Sequence, residues 1–296
     1  MIDLHMHSYY SDDGEFSPEE LVEMCAARNL THISITDHNC ARANISAGPA
    51  AAARGIRYIP GIEIDCVYQG CNFHVLGYGL DYLSPEVQAI EDQVRSQSRE
   101  ASLKMLQLTQ AMGFSVTEDR MHDLSKDTYW PDAWTGEMFA EILLADEEYT
   151  GHPLLLPYRA GGSRGDNPYV NFYWDLYAQG KPCYAEILYP QMDHVIDLIH
   201  QNHGLAVLAH PGVNLKGRRH LFAGIAGLGI DGAEVFSSYH SPAQAAEFYN
   251  EAKQFHLLTF CGSDFHGKIK PAIAIGGHGG PARDQELLDR LEKIGG

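Results

Sequence analysis

Strand-like and helix-like segments alternate along most of this chain, and this alternation restricts the folds that it can adopt. The segments THISITDHN, IRYIPGIEIDCV, CNFHVLGYGL, LAVLAH and TFCGSDFH each have the apolar pattern of a buried strand. Helical patterns such as FSPEELVEMCAARNL, MDHVIDLIHQNHG and SPAQAAEFYNEAKQFH lie among them. Strands that alternate with helices usually pair in parallel, so the sequence predicts an α/β fold built on an open sheet or a barrel.

The first of these helices has a recognisable beginning. Ser17 is placed to cap the helix, Pro18 occupies its first position, and Glu20 is spaced to complete a capping box with Ser17. We therefore expect a helix that begins at Pro18.

Residues 85–189 interrupt the alternation. They contain a long polar helix pattern, a second helix around WTGEMFAEILLA and the glycine- and aromatic-rich segment YRAGGSRGDNPYVNFYW. A strand that returns to the same sheet does not need so long a connection. We expect residues 1–84 and 190–296 to form the α/β domain and residues 85–189 to form an inserted, mostly helical cap that selects substrate. The alternative is an appendage that makes no contact with substrate.

Histidine and carboxylate residues recur where the predicted strands end. His5 and His7 alternate with apolar residues in DLHMH, so a strand would direct both imidazoles to one face. That pair alone also fits a polar strand face exposed to water, but its recurrence at the other strand ends predicts one metal site. Nitrogen and oxygen donors without thiolate favour Mn²⁺, Fe²⁺ or Zn²⁺. The candidate ligands are His5, His7, Asp12, His38, Glu63, His74, His210, Asp264 and His266.

These motifs resemble those of the PHP (polymerase and histidinol phosphatase) domain family, and within it the stand-alone metal-dependent phosphoesterases. DLHMHSYYSDDG matches the family pattern DLHxHxxxSDG, and ITDHN, PGIEID, FHVLGY, VLAHPG and GSDFH match TDH, GxE, HxLGY, AHPG and SDxH. The match departs in SDDG, where an extra Asp13 separates Asp12 from the glycine. By its spacing from His7, Asp12 keeps the ligand position, and Asp13 is a bystander or a substitute.

The resemblance implies a distorted (β/α)₇ barrel, similar to a TIM barrel, that binds three divalent cations, with Mn²⁺ as the first choice. Asp37 is expected to orient His38 or a neighbouring loop, with direct ligation as the alternative. Position by position, the resemblance assigns His5, His7, Glu63 and Asp264 to the first cation, Asp12, His38 and His266 to the second, and Glu63, His74 and His210 to the third.

Paired divalent cations suit the hydrolysis of phosphate esters. Two ions roughly 3.5–4 Å apart lower the pKa of a bridging water and clamp the entering and leaving oxygens. We therefore expect attack by a metal-bridging hydroxide without a covalent enzyme intermediate. The residues with an expected catalytic role are Glu63, His210 and Asp264, of which Asp264 could also accept a proton.

The expected substrate is a small phosphorylated metabolite. The first choice is the 3′-phosphate of a nucleoside 3′,5′-bisphosphate, because a cap with arginines and aromatic residues suits a base and a second phosphate. The alternatives are a cyclic sugar phosphate or histidinol phosphate. A hypothesis of another class is a non-catalytic, metal-bound docking module.

Basic residues near the predicted site are candidates for binding phosphate. Arg159, Arg164 and Lys181 lie in the insertion, and Arg218 follows AHPG together with the competing Lys216 and Arg219. Each is alternatively a solvated surface charge. The insertion also carries aromatic side chains that either stack on a nucleobase or form the core of the cap. They are Trp130, Trp134, Tyr169, Phe172 and Trp174.

Composition sets limits on partners and location. A formal net charge of −18 argues against binding to long nucleic acid, because phosphate neutralisation needs clustered lysine and arginine. The six cysteines are dispersed without a CxxC pair, which suits free thiols in a reducing compartment. The sequence has no window apolar enough to span a membrane and no pattern of a secretory leader, so we expect a cytoplasmic protein. No obligate protein partner is inferred.

Overall fold

The computed structural model describes residues 1–281 and 285–294. Its strands are β1 (Ile2–Asp3), β2 (His32–Ile33), β3 (Arg57–Tyr58), β4 (Gly61–Tyr68), β5 (Cys71–Tyr78), β6 (Leu205–Leu208), β7 (Gly232–Ser237) and β8 (Leu258–Gly262). Its helices are α1 (Pro18–Ala27), α2 (Ala43–Ala53), α3 (Pro85–Ala111), α4 (Glu118–Ser125), α5 (Gly136–Ala145), α6 (Pro168–Leu176), α7 (Met192–Gln201), α8 (Pro211–Asn214), α9 (Leu221–Ala226), α10 (Pro242–Gln254) and α11 (Gln285–Leu291). The α/β class predicted from the sequence is confirmed.

Helix α1 begins where its capping residues predict. The Ser17 side chain accepts from the backbone N–H of Glu20, and the Glu20 side chain accepts from the backbone N–H of Ser17. Leu21, Val22 and Cys25 then supply its buried face. Local sequence alone fixes this end of the helix, because all of the interacting groups lie within one turn.

The strands form two sheets. One is parallel with the order β1-β2-β3, and the other has the order β4-β5-β6-β7-β8. In the second sheet only β6, β7 and β8 pair in parallel, whereas β5 is antiparallel to both β4 and β6. The expectation of parallel pairing was therefore wrong for β4 and β5. Gln69 and Gly70 join these strands with φ of 49° and 74°, the doubly positive pattern of a two-residue hairpin turn.

The two sheets touch near β1 and β8 and, through the chain after β2, near β4. The Leu4 N–H donates to the Cys261 carbonyl at 3.2 Å beside β1 and β8, and single bridges join Met6 to Phe265 and His38 to Glu63. Among the described residues these contacts do not amount to a continuous ladder, so the sheets are not closed into the predicted barrel. They nevertheless bring the ends of β1, β2, β4 and β8 to one place.

The segment between β5 and α7 has an apolar cluster of its own. Helix α5 packs against α6, and α3 and α4 contribute to the same cluster. Its fully buried members include Phe139, Leu143, Leu155, Phe172 and Cys183. In the described part of the chain, no helix is both long enough and apolar enough to cross a membrane.

Candidate metal centre

The segment after β1 brings two imidazoles into the interior. Leu4 and Met6 are fully buried and anchor the segment, and His5 and His7 alternate with them, as the sequence predicts. His5 Nδ1 lies 3.0 Å from Glu234 Oε1, and His7 Nδ1 lies 2.8 Å from the Ser11 hydroxyl. The two Nε2 atoms consequently face the same space, 3.1 Å apart.

Glu63 is the centre of the arrangement. Its Oε2 lies 3.0 Å from His5 Nε2 and 3.1 Å from His7 Nε2, and its Oε1 lies 2.9 Å from His74 Nδ1 and 3.1 Å from His210 Nε2. Burial alone would raise the pKa of this carboxyl, but the surrounding imidazoles hold it well below its usual range. Each oxygen therefore serves a different pair of histidines, which is the geometry of a bridging carboxylate.

Asp264 turns its two oxygens in different directions. Its Oδ1 lies 3.2 Å from His5 Nε2 and 3.1 Å from His7 Nε2. Its Oδ2 accepts from the Lys270 ammonium at 2.6 Å and from the Tyr239 hydroxyl at 2.5 Å. Burial would raise the pKa of Asp264, but Lys270 and the nearby histidines hold it well below its usual range. Oδ1 is thus the oxygen that faces the imidazoles, and its use as a proton acceptor stays a prediction.

In the Asp-Asp pair of the first loop, Asp13 lies nearer to the imidazoles than the prediction for Asp12 implies. Asp13 Oδ2 lies 3.1 Å from His266 Nε2, and Asp13 groups with His7, His38 and His266, their donor atoms within 4.8 Å of one another. Asp12 lines the adjoining cavity but belongs to none of the donor groups among the described residues. The loop turns back on itself, with the Ser11 N–H bonded to the Ser8 carbonyl, and ligation by Asp12 stays a prediction.

Asp37 holds this loop in place. Its Oδ1 accepts from the Ser8 N–H at 2.6 Å and its Oδ2 accepts from the Ser8 hydroxyl at 2.7 Å. Burial raises the pKa of Asp37 to about 6, although His7 and both bonds from Ser8 lower it. Both oxygens are directed to the loop, and the role of Asp37 in orienting it stays a prediction.

Four overlapping groups of donors can be recognised in the described residues, and all their members are imidazoles or carboxylates. Every member except two was predicted from the sequence as a ligand. The two exceptions are Asp13 and Asp65, and Asp65 Oδ1 lies 3.2 Å from His74 Nε2. The groups are His5–His7–Glu63–Asp264, His7–Asp13–His38–His266, Glu63–His74–His210 and His38–Asp65–His74.

Divalent cations fit this donor set on the evidence of its unpaired atoms. His266 Nδ1 lies 3.0 Å from the Asp264 carbonyl oxygen and so carries the ring proton. Burial lowers the pKa of His266 to about 4, so Nε2 turns a lone pair, not a proton, toward Asp13. The lone pairs of His266 Nε2 and Asp13 Oδ2, 3.1 Å apart, repel each other unless a cation binds both atoms. Further buried atoms lack a hydrogen-bond partner in the described chain, namely Asp13 Oδ1, His38 Nδ1 and Asp264 Oδ1.

Residues that sequence reasoning missed support the donors from behind. Glu234 is fully buried in β7, where its Oε1 contacts His5 and its Oε2 accepts from the His210 N–H at 2.9 Å. An acid inside the apolar run GAEVFSS was the available signal for Glu234. Lys270 and Tyr239 gave no comparable signal, because their loops meet Asp264 only in the folded chain.

A cavity of about 330 Å³ opens beside the cluster. Asp12, Asp13, His38, His210 and Asp264 line one side of it. The inserted segment lines the other side, through α5, α6 and the chain that follows α6. A small molecule in this cavity would contact both parts of the protein.

Two of the four predicted phosphate-binding residues lie on the cavity wall. They are Lys181 and Arg218, and the Arg218 Nε atom is buried without a partner in the described chain. Arg159 instead donates to the carbonyls of Leu144 and Tyr149. Arg164 is paired with Asp175 at 3.0 Å. Their glycine-rich neighbours suggested an anion site, but both guanidinium groups stabilise the inserted segment.

The aromatic candidates divide in the same way. Trp134 and Trp174 line the cavity. Phe172 is fully buried in the core of the inserted segment, and Tyr169 packs against that core. Trp130 is buried elsewhere, with its Nε1 donating to the Tyr10 carbonyl. Trp134 also belongs to that core and is only 3% exposed, so Trp174 is the candidate with a surface open to a nucleobase.

The chain is similar to known proteins in sequence and in fold. The family model described as PHP domain matches residues 3–214. The chain is 28% identical over 268 residues to the 3′,5′-nucleoside bisphosphate phosphatase of Chromobacterium violaceum, covering 90% of this chain and 87% of that protein. It is 29% identical over 279 residues to the 5′-3′ exoribonuclease Rnm of Salmonella typhimurium, covering 93% and 87%. A solved structure described as an amidohydrolase from Chromobacterium violaceum, with bound sulfate and no metal, superposes with a TM-score of 0.78 at 25% identity, covering 99% of this chain and 96% of that one.

Proposed function

The chain belongs to the PHP domain family, and from that premise we propose that it is a divalent-cation-dependent phosphoesterase. Its proposed reaction is hydrolysis of the 3′-phosphate of a nucleoside 3′,5′-bisphosphate. The observation that carries the proposal is Glu63, whose two oxygens each contact a separate pair of buried imidazoles beside a ligand-sized cavity.

The proposed ligand sets follow the donor groups. Divalent cations bound there would act as Lewis acids toward the phosphate ester and activate water. Mn²⁺ is the first choice, with Fe²⁺ and Zn²⁺ as alternatives, since the donors are imidazoles and carboxylates. The sets, for three cations, are His5, His7, Glu63 and Asp264; Asp13, His38 and His266; and Glu63, His74 and His210.

The chain's own residues would bind the rest of the substrate. Lys181 and Arg218 on the cavity wall offer cations to a second phosphate, and Trp174 offers a ring face to a base. A cavity of about 330 Å³ lies within the range of small-molecule sites. In this proposal residues 85–189 act as the cap that selects substrate. The two sheets together form a distorted barrel that is not fully closed. The protein works in the cytoplasm.

A second candidate substrate is the 5′ end of RNA. The relative from Salmonella typhimurium, at 29% identity, is named a 5′-3′ exoribonuclease. Cleavage of a terminal nucleotide would use the same cation cluster, with only the end of the chain in the cavity. The net charge of −18 argues against contacts with a long stretch of RNA.

The proposal is tested by phosphate release. The purified protein is stripped with chelator, reloaded with Mn²⁺ and given nucleoside 3′,5′-bisphosphates, a cyclic sugar phosphate, histidinol phosphate and a 5′-phosphorylated oligoribonucleotide. We expect fastest turnover of a bisphosphate, yielding inorganic phosphate and the nucleoside 5′-phosphate. Binding of cations without hydrolysis of any of these compounds would favour a non-catalytic docking module.

Substitution of the wall cations tests the binding mode. Lys181→Met and Arg218→Met should each lower kcat/KM about 10- to 100-fold, because a hydrogen bond to a charged group contributes about 1.5–3 kcal/mol. Lys126→Met is the matched control, since that ammonium is largely exposed and does not line the cavity. Equal losses in all three variants would count against a phosphate-binding role for the wall cations.

A further inference from the structure

His74 lies between two carboxylates of a single strand. Its Nδ1 is 2.9 Å from Glu63 Oε1, and its Nε2 is 3.2 Å from Asp65 Oδ1. Asp65 is the residue directly opposite His74 in the β4–β5 hairpin, and Glu63 is two positions away on the same strand. Residues two apart on a strand share a face. Hairpin register therefore brings one carboxylate to each nitrogen of the ring.

Three other imidazoles of the cluster have a protein oxygen beside the nitrogen that points away from it. In each of them Nδ1 meets the oxygen and Nε2 faces the cluster. Such an outer contact is the usual arrangement of a cation-binding histidine, because it fixes both the ring and its tautomer. The contacts are His5 with Glu234 at 3.0 Å, His7 with Ser11 at 2.8 Å, and His266 with the Asp264 carbonyl at 3.0 Å.

Asp65 is itself fixed by a neighbouring side chain. Asn39 Nδ2 donates to Asp65 Oδ2 at 2.7 Å, and the Asp65 N–H donates to Asn39 Oδ1 at 3.0 Å. This reciprocal pair leaves Oδ1 as the oxygen that meets His74. A carboxylate held at one oxygen and directed at a ring nitrogen with the other is well suited to orient that ring.

We propose that Asp65 is a positioning residue, which receives Nε2–H of His74 and so makes Nδ1 the nitrogen that binds a cation. Glu63 Oε1 and His210 Nε2, 3.1 Å apart, are the other donors to that cation. The inference rests on the proposed cation-dependent function. The competing arrangement places a cation among His38, Asp65 and His74, with Nε2 as the donor.

Cation affinity provides the first test. Stripped protein is titrated with Mn²⁺ by calorimetry, and bound metal is counted by elemental analysis. Asp65→Ala should lower the affinity for the cation bound by Glu63, His74 and His210 about 10- to 100-fold, as expected for loss of an outer carboxylate. Asp65→Asn retains an acceptor oxygen and should lose less. Asp127→Ala, at an exposed turn position, is the matched control.

The outcomes separate this inference from the proposed function. Absence of cation binding by the unsubstituted protein would refute the proposed function itself. Full cation content and unchanged affinity in folded Asp65→Ala would refute only the role of Asp65. Loss of the folded state in that variant leaves Asp65→Asn and the spectroscopic measurement to decide.

Nitrogen NMR of the Zn²⁺-loaded protein, labelled at histidine, reads the tautomer directly. We expect the His74 proton on Nε2, with faster exchange or loss of that signal in Asp65→Asn. A proton on Nδ1 of His74 would overturn the proposal and support the competing arrangement. This readout does not depend on activity, and a substitution that merely loosens the hairpin would not move the proton between nitrogens.

Discussion

Exchange of Glu234 for glutamine tests how the cluster is held, since it alters one atom of a fully buried side chain. In the native chain Oε1 faces His5 Nδ1 and Oε2 accepts from the His210 N–H. A glutamine has one acceptor oxygen for these two donors. If it keeps the bond from His210, its amide nitrogen faces His5 and favours the tautomer with the proton on Nε2. That proton occupies the lone pair required by a cation.

The size of the effect follows from this single contact. Loss of a carboxylate behind a metal-binding histidine typically costs 10- to 100-fold in metal affinity. Because tenfold corresponds to about 1.4 kcal/mol, binding of Mn²⁺ should weaken by about 1.4–2.7 kcal/mol. Calorimetric titration of stripped protein measures this loss. Glu91→Gln is the control, because that buried carboxylate pairs with Arg42 and lies outside the donor groups. A folded Glu234→Gln variant with native affinity would refute the reasoning.

Three further predictions concern the loop carboxylates, stability and pH. Asp13→Asn should remove one equivalent of bound cation, whereas Asp12→Asn should keep all of them. Elemental analysis measures the cation content, and the reverse result would show that Asp12 is the ligand, as its spacing from His7 predicts. A cation at 100 times its Kd adds about 2.7 kcal/mol per site, so Mn²⁺ should raise Tm by several degrees over the chelated protein, and an unchanged Tm would contradict cation binding. Burial raises the pKa of Glu137 to about 8. In chelated protein between pH 5 and 8, the folded state therefore keeps a proton on Glu137, whereas the unfolded chain, with its ordinary pKa, has lost that proton. Glu137→Gln should accordingly gain stability over the native chain as pH rises from 5 to 8, by about 1–3 kcal/mol in denaturant melts, and a pH-independent difference would argue against a buried acid.

The features that the sequence predicted well depend on short-range order. Ser17 and Glu20 cap α1 because their partners lie within one turn. Most of the donor set could be predicted because its residues follow strand ends and match a known family pattern. The hairpin between β4 and β5 was missed although Gln69 and Gly70 carried a turn signal, because the alternation of strands and helices suggested parallel pairing throughout.

The remaining errors concern contacts made across long stretches of chain. Lys270 and Tyr239 donate hydrogen bonds to Asp264 because the loops after β8 and β7 converge. No pattern in the neighbouring sequence predicts these contacts. The donor groups contain Asp13 where a count of residues from His7 points to Asp12, since such a count does not register the turn of the loop. Arg159 was predicted to bind an anion because glycines surround it. Its guanidinium instead donates to the Leu144 carbonyl in the last turn of α5, and the sequence near Arg159 does not show where that helix ends.

The central claim is that Glu63 bridges divalent cations through its two oxygens. The most direct measurement is anomalous diffraction at the manganese absorption edge from crystals grown with Mn²⁺. The account predicts peaks at coordination distance from both Oε1 and Oε2, one beside His5 and His7 and another beside His74 and His210. A well-ordered crystal with saturating Mn²⁺ and no peak within coordination distance of Glu63 would contradict it.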